Sequence, residues 1–301
     1  MPIKIDSDLP ARFTLEKENI FVMTQERAES QDIRPLKIAI VNLMPTKEVT
    51  ETQLLRLLSN TPLQIDIFLV QMASHVSRNT DRHHLEKFYM PSEAIFKQKF
   101  DGMIITGAPV EQLPFEQIDY WTELCRIMDY ARENVFCTLY ICWGAMAGLY
   151  HLYGIEKHIC KQKYSGIFYS KLLDPNEPLM RGFDDYFPVP TSRYTKILED
   201  DVRAHKELSL LAYSDSTGVT LTKSKDNRSI FMTGHLEYDP DTLAKEYQRD
   251  KEKGLNPRIP ENYFPGDDAS QPVFSKWRST AHLFYSNWLN YYVYQETPYR
   301  L

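Results

Sequence analysis

Between Leu36 and Tyr153 the chain alternates between two periodicities, and few folds accommodate that alternation. Leu36–Leu43, Leu63–Met72, Gly102–Thr106 and Phe136–Ile141 are short apolar runs with β-branched and aromatic members, the pattern of strands buried on both faces. Between them, Thr46–Ser59 carries Val49, Leu54, Leu55, Leu57 and Leu58 at helical spacing before Asn60 and Pro62 stop it. A polar loop around Arg78–His84 precedes a second predicted helix over Leu85–Lys99. Ile118, Trp121, Leu124, Cys125, Met128 and Ala131 then recur every three or four residues. Strands that alternate with amphipathic helices predict an α/β fold: a mostly parallel central sheet with helices on both faces.

The last of these strands carries the chemistry. Phe136–Ile141 runs directly into Cys142, and Trp143, Gly144, Ala145, Met146, Ala147, Leu149 and Tyr150 follow as a helix. A strand that turns abruptly into a helix lifts the residue at the turn out of the sheet and aims the free N–H groups of the first helical turn at its side chain. A thiol in that position is expected to be acidified toward the nucleophilic thiolate. Such a nucleophile needs a base, and the base needs an orienting carboxylate. In Thr233-Gly234-His235-Leu236-Glu237, an imidazole follows an apolar strand and a carboxylate stands two residues on, on the same side of an extended chain. The other seven histidines have readier explanations as loop, cap or packing residues.

Composition closes off other classes. The 301 residues are 43% hydrophobic and 25% charged, with a net charge of −6, which is ordinary for a globular protein and opposite to the footprint of a nucleic-acid binder. No apolar run approaches the roughly 20 residues that span a bilayer, and Met1–Phe13 lacks a signal-peptide pattern, so a cytoplasmic location and no membrane partner are expected. Cys125, Cys137, Cys142 and Cys160 form no C-x-x-C pair and no ligand set, so neither a disulfide framework nor a metal site is expected. Residues 1–34 are polar with scattered apolar anchors at Phe13, Leu15, Ile20, Phe21 and Val22, and read as an arm that packs on something without building a core, across a subunit interface if the protein is a homodimer. Residues 35–301 read as a single domain: Glu207–Ser214, Val219–Thr222 and Ser229–Thr233 add antiparallel strands, Asp241–Lys253 is a helix, and aromatic-rich helical turns over Ser279–Tyr294 end the chain.

Taken together, Thr106-Gly107-Ala108-Pro109-Val110-Glu111, Cys142-Trp143, Tyr153-Gly154-Ile155, the segment Thr233–Asp239, Asn262–Pro265 and Ser286–Gln295 resemble, in order, the motifs of the homoserine O-acyltransferases of methionine biosynthesis. That family is built on the class I glutamine amidotransferase-like, flavodoxin-like fold. The resemblance implies Cys142 as acyl-thioester nucleophile, His235 as proton acceptor and Glu237 as its partner. It places Lys163, Ser192 and Arg249 where the family holds its substrate, and implies L-homoserine and acyl-CoA as substrates with no permanently bound cofactor. The backbone N–H groups of Trp143 and Ala108 are the expected oxyanion donors. Tyr140 and Met146 stand where amidotransferases usually carry Gly and Gln, which argues against glutamine hydrolysis; a glutaminase or cysteine peptidase is the competing reading of the same triad. Succinyl-transferring members typically carry Gly at the position of Glu111. A carboxylate there would fill the space of a succinyl group and repel its charge, so acetyl-CoA is the expected donor.

Overall fold

The computed structural model describes residues 3–6, 8–18, 34–75, 77 and 79–297. The first-half elements are β1 (Ile3–Lys4), α1 (Pro10–Lys17), β2 (Leu36–Val41), α2 (Lys47–Leu58), β3 (Ile65–Gln71), α3 (Arg82–Phe88), β4 (Tyr89–Pro91), β5 (Phe100–Ile105), α4 (Trp121–Asn134), β6 (Val135–Ile141) and α5 (Trp143–Tyr153). After them come β7 (His158–Leu172), β8 (Tyr186–Lys196), α6 (Glu199–Ala204), β9 (Leu208–Ser214), β10 (Gly218–Ser224), β11 (Ser229–Met232), α7 (Thr242–Glu252) and α8 (Arg278–Asn287). The last of these continues as wider π-helical turns over Trp288–Tyr294.

The described strands form one sheet in the order β1-β3-β2-β5-β6-β11-β10-β9-β7-β8, with β4 beside β3. Every pairing from β1 to β11 in that order is parallel, and every pairing from β11 to β8 is antiparallel. The seam between the two regimes is β11, which pairs parallel with β6 and antiparallel with β10. Alternation along the central strands supplies two cores. Ile38, Ile40, Ile104, Leu139, Ile141, Ile230 and Met232 face α2 and the carboxy-terminal helix, whereas Ala39, Val41, Met103, Ile105, Tyr140 and Phe231 face α4 and α5. This is the expected sheet with helices on both faces and antiparallel additions in the second half.

Three expectations need amending. The helix over Leu85–Lys99 is instead α3, the short strand β4 and a 3-10 turn over Ser92–Lys97. Pro91 explains the break: it has no N–H to give an α-helix and biases Met90 toward extended backbone. The Arg78–His84 loop contributes a helix start, because Asp81 caps α3 by accepting from the His84 N–H (3.2 Å); residue 78 lies outside the described residues. The amino-terminal segment does build core: β1 joins β3, and Ile5, Leu9, Ala11 and Leu15 are buried. Ile20, Phe21 and Val22 lie outside the described residues.

Candidate active site

Sheet register brings the triad together. Ile141 on β6 is level with Met232 on β11, and the Cys142 N–H donates to the Met232 carbonyl (2.7 Å), so Cys142 and Thr233 leave the sheet side by side. Neighbouring strands lie about 4.8 Å apart, and His235 follows two residues later on the adjacent chain. Its N–H donates to the Pro190 carbonyl (2.8 Å), which ties it to β8. The Cys142 backbone has φ 51° and ψ −114°, and the next residue, Trp143, begins α5. This is the sharp strand-to-helix turn expected there. Trp143, as the first helical residue, has no intrahelical acceptor for its N–H.

Cys142, His235 and Glu237 are all buried. Glu237 Oε1 lies 2.6 Å from His235 Nδ1, which fixes that nitrogen as the donor and leaves Nε2 for the thiol. Burial is the largest single influence on the imidazole and pushes its pKa down. The negative charges of Cys142 and Glu237, with hydrogen bonds to both, outweigh it and hold the value well above 6.5. The ring stacks on Tyr238 at 4.0 Å between centroids. Glu237 Oε2 is buried with no partner among the described residues, and Glu237 helps line a cavity of about 540 Å³ together with Arg56, Asp239, Trp277 and His282.

The turn Gly107-Ala108 closes over this pair. A Cβ at residue 107 would stand 3.2 Å from the Cys142 Cβ and 3.6 Å from His235 Cε1, so the backbone of this turn lies close to both residues and a side chain there would press on Cys142. Glu111 is half-buried four residues further along the same loop.

Lys163, Ser192 and Arg249 come together on the base side of the triad, around α7. Lys163 Nζ lies 3.3 Å from Asp250 Oδ2 and 3.5 Å from Glu246 Oε2, and the Ser192 hydroxyl donates to Glu246 Oε2. Arg249 donates from Nε (2.9 Å) and Nη2 (2.8 Å) to Asp250 Oδ1, with half of its side chain exposed. The Tyr238 hydroxyl donates to Glu246 Oε1 (3.0 Å), which links this cluster to the ring stacked on His235. Two carboxylates and two cations at one site match both ends of a zwitterionic amino acid.

Sequence reasoning passed over Tyr238, Glu246, Asp250 and Arg193. Glu246 and Asp250 are one helical turn apart on a helix of low mean hydropathy, and from sequence they look like a solvated face. Arg193 on β8 is fully buried; it donates to the Thr195 and Thr217 carbonyls and to the Thr233 hydroxyl two residues before His235. A cation inside a strand carries no signal that its acceptors, two carbonyls and a hydroxyl, will come from three separate segments.

The family model described as homoserine O-succinyltransferase matches residues 2–299. A homoserine O-acetyltransferase of Bacillus cereus is 56% identical over 301 residues, covering 100% of both chains. A homoserine O-acetyltransferase of Desulfovibrio desulfuricans is 58% identical over 301 residues, covering 100% of this chain and 96% of its own. Among solved structures, a glutamine amidotransferase from Thermotoga maritima superposes with a TM-score of 0.51 at 11% identity, over 85% of this chain and 98% of its own. At that identity the likeness is one of fold.

Proposed function

The chain belongs to the homoserine O-succinyltransferase family, whose members transfer an acyl group to homoserine, and from that premise we propose that it is a homoserine O-acetyltransferase working through an acyl-thioester on Cys142. Cys142 Sγ attacks the carbonyl carbon of acetyl-CoA. The negative charge that develops on the carbonyl oxygen is met by the backbone N–H groups of Trp143 and Ala108. The C–S bond to CoA breaks, CoA takes the proton from His235 Nε2, and the acetyl group stays on Cys142. Homoserine then enters with its ammonium group toward Glu246 and Asp250 and its carboxylate toward Lys163 and Arg249, beside Ser192. His235 Nε2 takes the hydroxyl proton, the oxygen attacks the thioester, and O-acetylhomoserine leaves as the Cys142 thiolate and the His235 imidazolium are restored. Glu237 holds the ring and stabilises its charge without taking a proton.

Acetyl-CoA serves here as a co-substrate, with no permanently bound cofactor. The observation that carries the acetyl assignment is Glu111, a half-buried carboxylate on the loop whose first turn touches Cys142. The names of the relatives support the same donor. No helix among the described residues is long and apolar enough to cross a membrane. A cytoplasmic homodimer is the setting we propose.

Two measurements test the reading. With acetyl-CoA and no homoserine, intact-mass analysis is expected to find one acetyl group added to the enzyme, absent in Cys142→Ala, together with a burst of one equivalent of free CoA. An unmodified chain with no burst would favour direct transfer in a ternary complex. The ratio of kcat/KM for acetyl-CoA and succinyl-CoA tests the donor, and a preference for succinyl-CoA would reject the acetyl assignment.

A further inference from the structure

Residues 233–241, which carry the base and its carboxylate, belong to neither strand nor helix. Glu237 meets His235 through Oε1, and its Oε2 is buried with no partner among the described residues. A carboxylate held at one oxygen takes its aim from its backbone, so whatever anchors the residues after Glu237 sets it. The Tyr238 carbonyl accepts from the Trp277 indole N–H (3.1 Å), and the Pro240 carbonyl from the Tyr263 hydroxyl. Between them Asp239 is drawn to α2: its Oδ1 accepts from Arg56 Nη1 (2.7 Å) and its Oδ2 from Gln53 Nε2 (3.4 Å). The other side of the Arg56 fork donates from Nε (2.5 Å) and Nη2 (2.7 Å) to the two oxygens of Glu18, the residue that ends α1. One planar guanidinium thus joins two carboxylates, a geometry that a lysine cannot reproduce. The arm behind Glu18 is fastened in turn: Leu15 is buried, Asp8 accepts from Lys87 (2.6 Å), and β1 pairs with β3. Glu18, Arg56, Asp239 and Glu237 all line one cavity.

We propose that Glu18, Arg56 and Asp239 form a clamp that positions Glu237, and through it the His235 ring, so that the amino-terminal arm is a working part of the active site. This rests on the triad reading above. Arg56 is a positioning residue: it meets the catalytic segment at Asp239 and acts on the imidazole only through the placement of Glu237. In both half-reactions His235 carries a proton while Glu237 stabilises the ring's charge. A carboxylate that tilts away slows acylation of Cys142 and transfer to homoserine alike, and the contacts that bind the two substrates stay as they were.

The test compares Arg56→Met, Arg56→Lys, Glu18→Gln and the combination of Glu18→Gln with Arg56→Met. In Arg56→Met, kcat/KM for acetyl-CoA and for homoserine should both fall about tenfold while the two KM values hold, because both half-reactions use the same misaimed pair. Arg56→Lys keeps the charge but loses the fork, and should cost about threefold. Glu18→Gln should cost about threefold alone and nothing further in Arg56→Met, since the arm acts through Arg56. The His235 titration, followed by NMR, separates positioning from charge. Removing a cation near the triad would by itself raise the imidazole pKa. Loosening Glu237 weakens a charge and a hydrogen bond that hold it up, so the shift expected in Arg56→Met is downward. A folded Arg56→Met enzyme with wild-type kcat, one whose His235 pKa rises, or a Glu18→Gln penalty that persists in Arg56→Met would each overturn the proposal. Should Arg56→Met fail to fold, Arg56→Lys and Glu18→Gln carry the test, and wild-type kcat in both overturns it. Wild-type turnover in Glu237→Ala would overturn the triad reading and the clamp with it, whereas full turnover in Arg56→Met beside an impaired Glu237→Ala overturns the clamp alone.

Discussion

Cys142 holds backbone angles, φ 51° and ψ −114°, that side chains with a Cβ rarely adopt and glycine adopts freely. Holding such a conformation costs about 1–3 kcal/mol, and the surrounding bonds to Met232 and from Met146 enforce it. The cost is tied to presenting the thiol. Cys142→Gly and Cys142→Ala should both lose transferase activity by several orders of magnitude, yet the glycine variant should be the more stable of the two by about 1 kcal/mol in chemical denaturation. A glycine variant less stable than the alanine variant would contradict the strain argument. His235 offers a second test at this scale. Its raised pKa depends on the Cys142 charge opposing burial. In Cys142→Ser that charge is gone, so the imidazole should lose its proton at a lower pH than in the wild type when followed by NMR. Because the folded value lies above the ordinary 6.5, protonated His235 favours the native state fully below about pH 6.5, and the contribution drains away as pH climbs through the folded value. The serine variant should lose it earlier. An unchanged titration would mean that the thiolate does not govern this base.

Elements whose buried residues repeat with one period are legible in the sequence. The strands β2, β3, β5 and β6 and the helices α2, α4 and α5 follow the alternation from Leu36 to Tyr153, and the turn at Cys142 falls where apolar strand gives way to small helix formers. His235 and Glu237 are legible for the same reason, since i and i+2 share a side of an extended chain and the structure puts 2.6 Å between them. The hairpin of β7 and β8 is not legible. In β7 the residues from His158 to Tyr164 are largely exposed or half-buried, so no two-residue alternation of apolar and polar side chains announces them. Its pairing partner starts fourteen residues after β7 ends, beyond any tight-turn signal. The cluster around α7 shares this fate: Lys163 and Ser192 sit on that hairpin and Glu246, Arg249 and Asp250 on α7, and the two groups meet through long-range contacts, among them the pairing of β7 with β8 and the bridge between Gly166 of β7 and Glu261 beyond α7. Lys163, Ser192 and Arg249 are reached through the family resemblance, whereas no motif names their acidic partners.

On the scale of the whole molecule, the site lies on the seam between a parallel and an antiparallel half, and the two halves interlock. Tyr140 of β6 stacks on Phe231 of β11 at 4.8 Å, and α5 packs on both strands. The carboxy-terminal turns return across the antiparallel half to cover the parallel one. A Cβ at Gly102 of β5 would lie 3.2 Å from the Trp288 ring and 3.1 Å from Val293, so the end of the chain sits directly on a strand from its first half. Trp143 is buried in the core on one face of the sheet, and Trp288 in the core on the other. If the halves were separate folding units joined at the active site, these two tryptophans would report different transitions. Because each core draws on strands from both halves, unfolding should be a single cooperative event in spite of the chain's length. In variants that keep only Trp143 or only Trp288, with the other tryptophans changed to phenylalanine, each fluorescence midpoint should coincide with that variant's own far-UV circular dichroism midpoint to within about 1 °C. Comparing two probes within one variant removes any stability change the substitutions cause. A Trp143 transition displaced from the dichroism midpoint, with the Trp288 transition on it, would show that the α4–α5 face melts alone. The triad, which needs β6 and β11 in register, would then be lost before the fold is.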